Sequence, residues 1–148
     1  MHLLACRALF DAQVGHLPEE LLLVRNWKIL ERCFPVLEVE FRKDGRNPLR
    51  LRFNCIDWND QPPSVALLDS AGQALKVVPT VSPGAQAIFN QGPHPITRQP
   101  FICMAGVLEY HTHSSHLTDS WDNYKKRSAY ELGEIVTQIW NGWLRTIS

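Results

Sequence analysis

The segment that decides the fold is "VLEVEFRKDGRNPLRLRFNC", residues 36–55. Apolar and polar residues alternate in it on both sides of the glycine-containing turn "KDGRN". The apolar positions are Leu37, Val39, Phe41, Leu49, Leu51, Phe53 and Cys55. Because successive side chains of a strand point to opposite faces, each run predicts a strand with one buried face. The turn between the two runs indicates an antiparallel hairpin.

The segments around this hairpin predict the other elements. "SVALLD", which follows two prolines, predicts a third strand, and "FICMAGVLEY" predicts a buried turn or strand. Residues 79–100 contain five prolines and no clear period, which favours an ordered loop over the sheet. A short helix is expected within residues 1–14, and a longer helix over residues 16–34. Apolar residues recur there at helical spacing, at Leu23, Trp27, Leu30 and Phe34.

A second long helix is expected over residues 128–145, where Ser128 and Glu131 predict a capping box. Its apolar stripe comprises Leu132, Ile135, Val136, Ile139, Trp140 and Trp143. The order of elements predicts a single α+β domain over residues 1–148. In it, an antiparallel meander sheet packs against an N-terminal and a C-terminal helix.

The bulk composition narrows the possible partners. The chain has 148 residues, and 15 basic residues balance 15 acidic ones. We therefore expect no nucleic acid and no membrane as a partner, since the charge is balanced and the apolar runs are too short to span a bilayer. The N-terminus has no basic start, which argues against a signal peptide. The four cysteines are widely spaced, which favours a cytoplasmic protein with free thiols.

Potential metal ligands are concentrated in "CMAGVLEYHTHSSHLTDSW", residues 103–121. They are Cys103, Glu109, His111, His113 and His116. In an extended segment, "EYHTH" would direct its glutamate and both histidines to one side. Thiolate, imidazole and carboxylate ligands suit zinc, with the three histidines competing for two positions. The alternative is a solvated loop whose histidines only decorate the surface.

Cys103 is also a candidate nucleophile. A reactive thiolate needs a lowered pKa, which His94, His111, His113 or His116 could provide. The alternative is a small buried residue, which is the expected state of Cys6, Cys33 and Cys55. A thiolate held by zinc would be a poorer nucleophile. A metal hydrolase with Glu109 or Asp119 as general base is a third class, although no His-Glu-x-x-His pattern supports it.

The order of motifs resembles the ubiquitin-conjugating enzyme (UBC-like) family over roughly residues 16–145. "DWNDQPPSVALL" is similar to its aromatic-to-Pro-Pro stretch, "PHPIT" (residues 93–97) to its His-Pro-Asn motif, and "FIC" to the approach to its cysteine. The resemblance implies that Cys103, with His94 upstream, carries a modifier as a thioester. Ile96 replaces the family's asparagine, which is thought to support the oxyanion when lysine attacks. Its absence puts ordinary isopeptide formation in doubt.

The Cys-Glu-His-His set resembles a second family, one predicted to bind metal. That family occurs in bacterial gene clusters with ubiquitin-like proteins, an activating enzyme and a JAB-type peptidase. Together the resemblances imply a conjugating-enzyme-like protein acting with a bacterial ubiquitin-like protein and its activating enzyme, beside a zinc cluster. The alternative is a catalytically silent, zinc-containing module for partner binding or assembly in the same pathway.

Overall fold

A computed structural model describes residues 2–79, 88, 89 and 92–146. The helices are α1 (Leu3–Val14), α2 (Glu19–Arg25), α3 (Leu108–Thr112) and α4 (Leu132–Thr146), and the strands are β1 (Trp27–Cys33), β2 (Val36–Phe41), β3 (Leu49–Asn54) and β4 (Ser64–Leu68). Three short 3-10 turns span Ser114–His116, Trp121–Asn123 and Ser128–Tyr130. The strands form one antiparallel meander in the order β1-β2-β3-β4. The predicted α+β class, with helices at both ends of the sheet, is confirmed.

The hairpin predicted from the alternating segment is β2–β3. Val39 lies opposite Leu51 in its register. Its predicted inward positions are all at most 2% exposed, namely Leu37, Val39, Phe41, Leu49, Leu51, Phe53 and Cys55. α1 and α4 contribute the apolar residues that pack against this face, among them Phe10 and Trp143. The central core prediction is therefore correct.

The long helix predicted over residues 16–34 is wrong. The helix ends at Arg25, Asn26 takes a left-handed conformation (φ 55°), and the chain continues as β1. β1 pairs with the edge of β2, and its Trp27 packs on Phe41 with ring centroids 5.5 Å apart. This pairing outweighs helical propensity, which is a weak determinant of structure. The predicted helical stripe required Leu23 to be buried, but Leu23 is 78% exposed.

α1 takes the place of the missing N-terminal helix, so the short helix expected within residues 1–14 is confirmed. Its buried residues, Cys6, Phe10 and Val14, follow one another at intervals of four. This spacing places them on one face of the helix, toward the core.

The C-terminal helix begins four residues later than predicted. Ser128–Tyr130 form a 3-10 turn and Glu131 is extended, so the expected capping box does not form. Its place is taken by a distant side chain. Gln13 Oε1 accepts a hydrogen bond from the Leu132 backbone N–H (2.9 Å) and another from Trp58 Nε1 (3.1 Å). The predicted stripe is confirmed, with Leu132, Ile135, Val136, Ile139 and Trp143 at most 1% exposed.

The proline-rich loop predicted over residues 79–100 lies in part outside the described residues. Where the chain is described again, Phe89 forms a bridge with Ile102, and Cys103 N–H donates to the carbonyl of Ile88 (2.7 Å). No helix in the described part of the chain is long and apolar enough to cross a bilayer.

None of the four cysteines, all of which lie in the described part of the chain, forms a disulfide, as expected. Cys6 and Cys55 are buried, but Cys33 is exposed, which corrects its predicted burial. Cys33 ends β1, an outer strand of the sheet, and so lies at the periphery rather than on the expected helical stripe.

Candidate active site

His94 holds the loop that precedes Cys103. Its ring is fully buried, and its Nδ1 accepts hydrogen bonds from the backbone N–H groups of Ile96 (3.1 Å) and Thr97 (3.3 Å). The ring proton therefore lies on Nε2, which donates to the carbonyl of Glu109 (2.8 Å). Both ring nitrogens of His94 thus hold the loop against α3. The imidazole in contact with the Cys103 thiol belongs to another histidine.

Cys103 lies at the edge of the core, directly after the fully buried Ile102. The side chain is partly exposed, and its Sγ lies 3.6 Å from His116 Nε2. Burial raises the pKa of the Cys103 thiol, contrary to the lowered pKa expected from the sequence. The resting thiol therefore keeps its proton, with an imidazole in position to remove it.

The "EYHTH" segment is helical rather than extended, because it forms α3 and its end. Glu109 and the two histidines consequently do not share one side, as an extended chain would require. Glu109 turns inward and is 7% exposed. Its carboxylate accepts hydrogen bonds from the Val65 N–H (2.6 Å) and the Ser64 hydroxyl (2.8 Å) on the edge of β4. Burial raises the Glu109 pKa, and these hydrogen bonds oppose the rise.

His111 and His113 are held by local contacts. His111 Nε2 accepts from the N–H of Gly106 (3.0 Å), and its Nδ1 donates to the carbonyl of Asp119 (2.8 Å). Burial lowers the His111 pKa, which favours this neutral ring. His113 Nδ1 accepts from the N–H of Ser115 (3.1 Å), and its ring stacks on Phe101 at 5.6 Å.

These contacts divide the predicted zinc ligands. Across residues 2–79, 88, 89 and 92–146, no group of three or more His, Cys, Asp or Glu side chains is arranged to hold a metal ion. The Glu109 oxygens bind Ser64 and Val65 of β4 and the His111 nitrogens bind the backbone, whereas Cys103 and His116 contact each other. As arranged, the side chains do not fit a zinc ion, and zinc binding stays a prediction from sequence.

The sequence reasoning missed a pair of tyrosines that share Asp119, one of which stacks on His116. The hydroxyls of Tyr110 (2.6 Å) and Tyr124 (2.7 Å) both donate to Asp119 Oδ2. These hydrogen bonds lower the Asp119 pKa and raise that of each tyrosine. No spacing rule links these three positions, because the chain between them turns twice in short 3-10 segments. Because these hydrogen bonds stabilise its ionised form, Asp119 is a weaker general base than an unbonded carboxylate.

Comparison with known proteins places this site within one matching segment. The model of the Y4jH-like family (Y4jH family) matches residues 87–147. The matched segment contains the His94 loop, Cys103, α3 and α4. No curated protein matches the chain.

Proposed function

We propose that the chain is a UBC-like carrier that holds a bacterial ubiquitin-like modifier as a thioester on Cys103. The observation that carries the proposal is the partly exposed Cys103, whose Sγ lies 3.6 Å from His116 Nε2. A cysteine beside a base within reach of its proton is the usual requirement for nucleophilic catalysis by a thiol. His116 is the base in this proposal, and His94 is a bracing residue.

The reaction is a transthiolation. His116 Nε2 takes the thiol proton while Cys103 Sγ attacks the thioester carbonyl that joins the modifier to the activating enzyme. A carbon–sulfur bond forms at Cys103, and the bond to the enzyme's cysteine breaks. The departing thiolate takes the proton from His116, so one thioester and one thiol are present both before and after the reaction. ATP is consumed earlier, by the activating enzyme.

The arrangement of the chain supports the resemblance to conjugating enzymes. Pro62 and Pro63 lie between β3 and β4, and the completed four-stranded meander is followed along the chain by the His94 loop and then by Cys103. The Leu108 N–H donates to the carbonyl of Pro63 (2.9 Å), which ties the Pro-Pro segment to the start of α3. The Pro-Pro segment and His94 therefore both contact α3, the helix that follows Cys103 in the chain.

The test is a charging assay with ATP, the cognate activating enzyme and the ubiquitin-like modifier. We expect a reductant-sensitive adduct on the wild type. Cys103→Ser should give a reductant-resistant oxyester or none. Cys33→Ser is the matched control. Of the other three cysteines, Cys33 is the one that is exposed, and it should be dispensable. An adduct that survives Cys103→Ser unchanged but is lost in Cys33→Ser would refute the proposal.

The second candidate is a catalytically silent, zinc-containing module that binds partners in the same pathway, which include a JAB-type peptidase. The raised pKa of the Cys103 thiol favours the catalytic silence of this module, because it describes a resting thiol rather than an activated one. It does not favour the zinc, which would need the thiolate. In this case no adduct forms with a demonstrably active activating enzyme. Elemental analysis then finds about one zinc per chain, which Cys103→Ser releases while lowering the melting temperature.

A further inference from the structure

The orientation of the His116 ring depends on very few contacts. The residue ends the 3-10 turn Ser114–His116, and its side chain is partly exposed. Within the described part of the chain, the one hydrogen-bonding contact of its imidazole is the Cys103 thiol, through Nε2. Its Nδ1 has no hydrogen-bond partner among those residues, unlike the ring nitrogens of His94 and His111. A ring without such a bond must be oriented by packing.

The packing is supplied by Tyr110. The two rings are stacked, with centroids 4.1 Å apart and planes inclined by 15°. His113 contacts the same imidazole less closely, at 5.7 Å and 46°. The face-to-face contact with Tyr110 therefore defines the plane of the His116 ring, and with it the direction in which Nε2 points.

Tyr110 is itself fixed in place at both ends. Its backbone belongs to α3, and its hydroxyl donates to Asp119 Oδ2 (2.6 Å). Asp119 is anchored in turn by the Tyr124 hydroxyl (2.7 Å) and, at its carbonyl, by His111 Nδ1 (2.8 Å). The hydrogen bond to Asp119, together with burial, raises the Tyr110 pKa, so the phenol keeps the proton with which it makes this bond.

We infer that Tyr110 is a positioning residue, which holds the His116 imidazole against the Cys103 thiol by stacking. This inference deepens the proposed function and rests on it, since a base needs positioning only if the thiol reacts. The essential element is the aromatic ring, whereas the hydroxyl secures it. Removing the ring should leave His116 present but free to rotate away from the sulfur.

The experiment measures thiol reactivity at one neutral pH, without modifier or activating enzyme. The full chain is treated with iodoacetamide, and mass spectrometry follows alkylation of Cys103 relative to the exposed Cys33 in the same molecules. We expect Tyr110→Leu to lower this ratio about tenfold, a partial loss of the effect of a placed general base. Tyr110→Phe should keep the ratio within about twofold, because it preserves the stacked ring.

Tyr124→Phe is the matched control. It removes the same kind of hydrogen bond to the same Asp119 oxygen, but Tyr124 has no ring contact with His116. Its ratio should equal that of the wild type. A fall as large as that of Tyr110→Leu would overturn the inference, since the effect would then pass through Asp119 alone. An unchanged or increased ratio in Tyr110→Leu would also overturn it, because Tyr110 would then merely shield the thiol.

A spectroscopic readout covers the case in which Tyr110→Leu does not fold. In the wild type, the ring current of Tyr110 should move the NMR signals of the His116 ring protons upfield, assigned by their loss in His116→Gln. Tyr110→Phe should keep that shift. Signals at ordinary positions in the wild type would refute the stacking. Because alkylation and NMR need no partner protein, a failed charging assay would contradict the proposed function while leaving this inference standing on its own data.

Discussion

Ile96 presents an apolar side chain where the resembled family has an asparagine. Its side chain is 70% exposed, and its backbone N–H is committed to His94 Nδ1. Position 96 therefore offers no side-chain donor to a negatively charged oxygen formed during attack by an amine. Ile96→Asn should speed discharge of the charged protein to free lysine about tenfold, since a single oxyanion donor has at least this effect in other enzymes.

The measurement is single-turnover discharge of the thioester in excess lysine. Ile96→Leu is the control, because it keeps the position apolar and exposed and should discharge at the wild-type rate. Equal rates for the two variants would show that position 96 is not near the oxyanion.

At the same scale, the sequence singled out Cys103 as a candidate nucleophile but could not show which histidine lies beside its thiol. Residues 103–116 indicated a cluster of potential metal ligands and bases, and nothing in the sequence distinguished its three histidines from one another. The choice of His116 depends on α3, which turns the intervening residues inward or onto the backbone. Glu109 lies away from the cluster because it accepts a hydrogen bond from the N–H of Val65, on a strand distant in sequence. No local sequence pattern predicts this contact.

Among the elements, α1 and α4 depend on each other through Gln13. Gln13→Leu would leave both Trp58 Nε1 and the Leu132 N–H without their acceptor. Because buried donors that lose their partner are costly, we expect the free energy of unfolding to fall by about 1–3 kcal/mol. Urea denaturation measures this change.

Gln138→Leu is the control for that substitution. The Gln138 amide donates to the carbonyl of Ala129 in an exposed position, so its loss should change stability by no more than about 0.5 kcal/mol. Similar losses for the two variants would show that Gln13 has no special role in joining the helices.

The strands β2 and β3 could be predicted because each alternates strictly, whereas β1 could not. "WKILERC" follows a good helix start, and its Trp27 and Leu30 continue the stripe that Leu23 begins. Residues 27–33 are stabilised as a strand by pairing with the edge of β2. That edge exists only in the assembled sheet, so the local sequence does not predict it.

For the whole molecule, the balanced charge makes the pH dependence of stability a matter of individual ion pairs. Glu38 is 5% exposed and lies between Arg50 and Arg52, with Nε–Oε distances of 2.9 and 2.8 Å. Burial acts to raise the Glu38 pKa, but the hydrogen bonds and charges of the two arginines outweigh it and hold the pKa below its usual 4.5. The ionised carboxylate therefore stabilises the folded state above that pH, and the stabilisation is lost as the pH falls through the lowered pKa.

Glu38→Gln should accordingly reduce the free energy of unfolding by roughly 1–3 kcal/mol at neutral pH, the value of hydrogen bonds to a charged group. The difference from the wild type should shrink steadily below pH 4.5. Chemical denaturation at several pH values measures it, with Asp44→Asn in the exposed β2–β3 turn as the control. A difference that is constant with pH would mean that the charge of Glu38 contributes nothing.

The segment matched by the family model, residues 87–147, contains the cysteine, its imidazole and the tyrosines around them. Yet the carboxylate of Glu109 is satisfied by Ser64 and Val65, and the first turn of α4 is satisfied by Gln13, all of which precede the match. The apolar face of α4 likewise has its partners on the sheet. Residues 87–147 alone would therefore leave the Glu109 carboxylate, the Leu132 N–H and the apolar face of α4 without these partners.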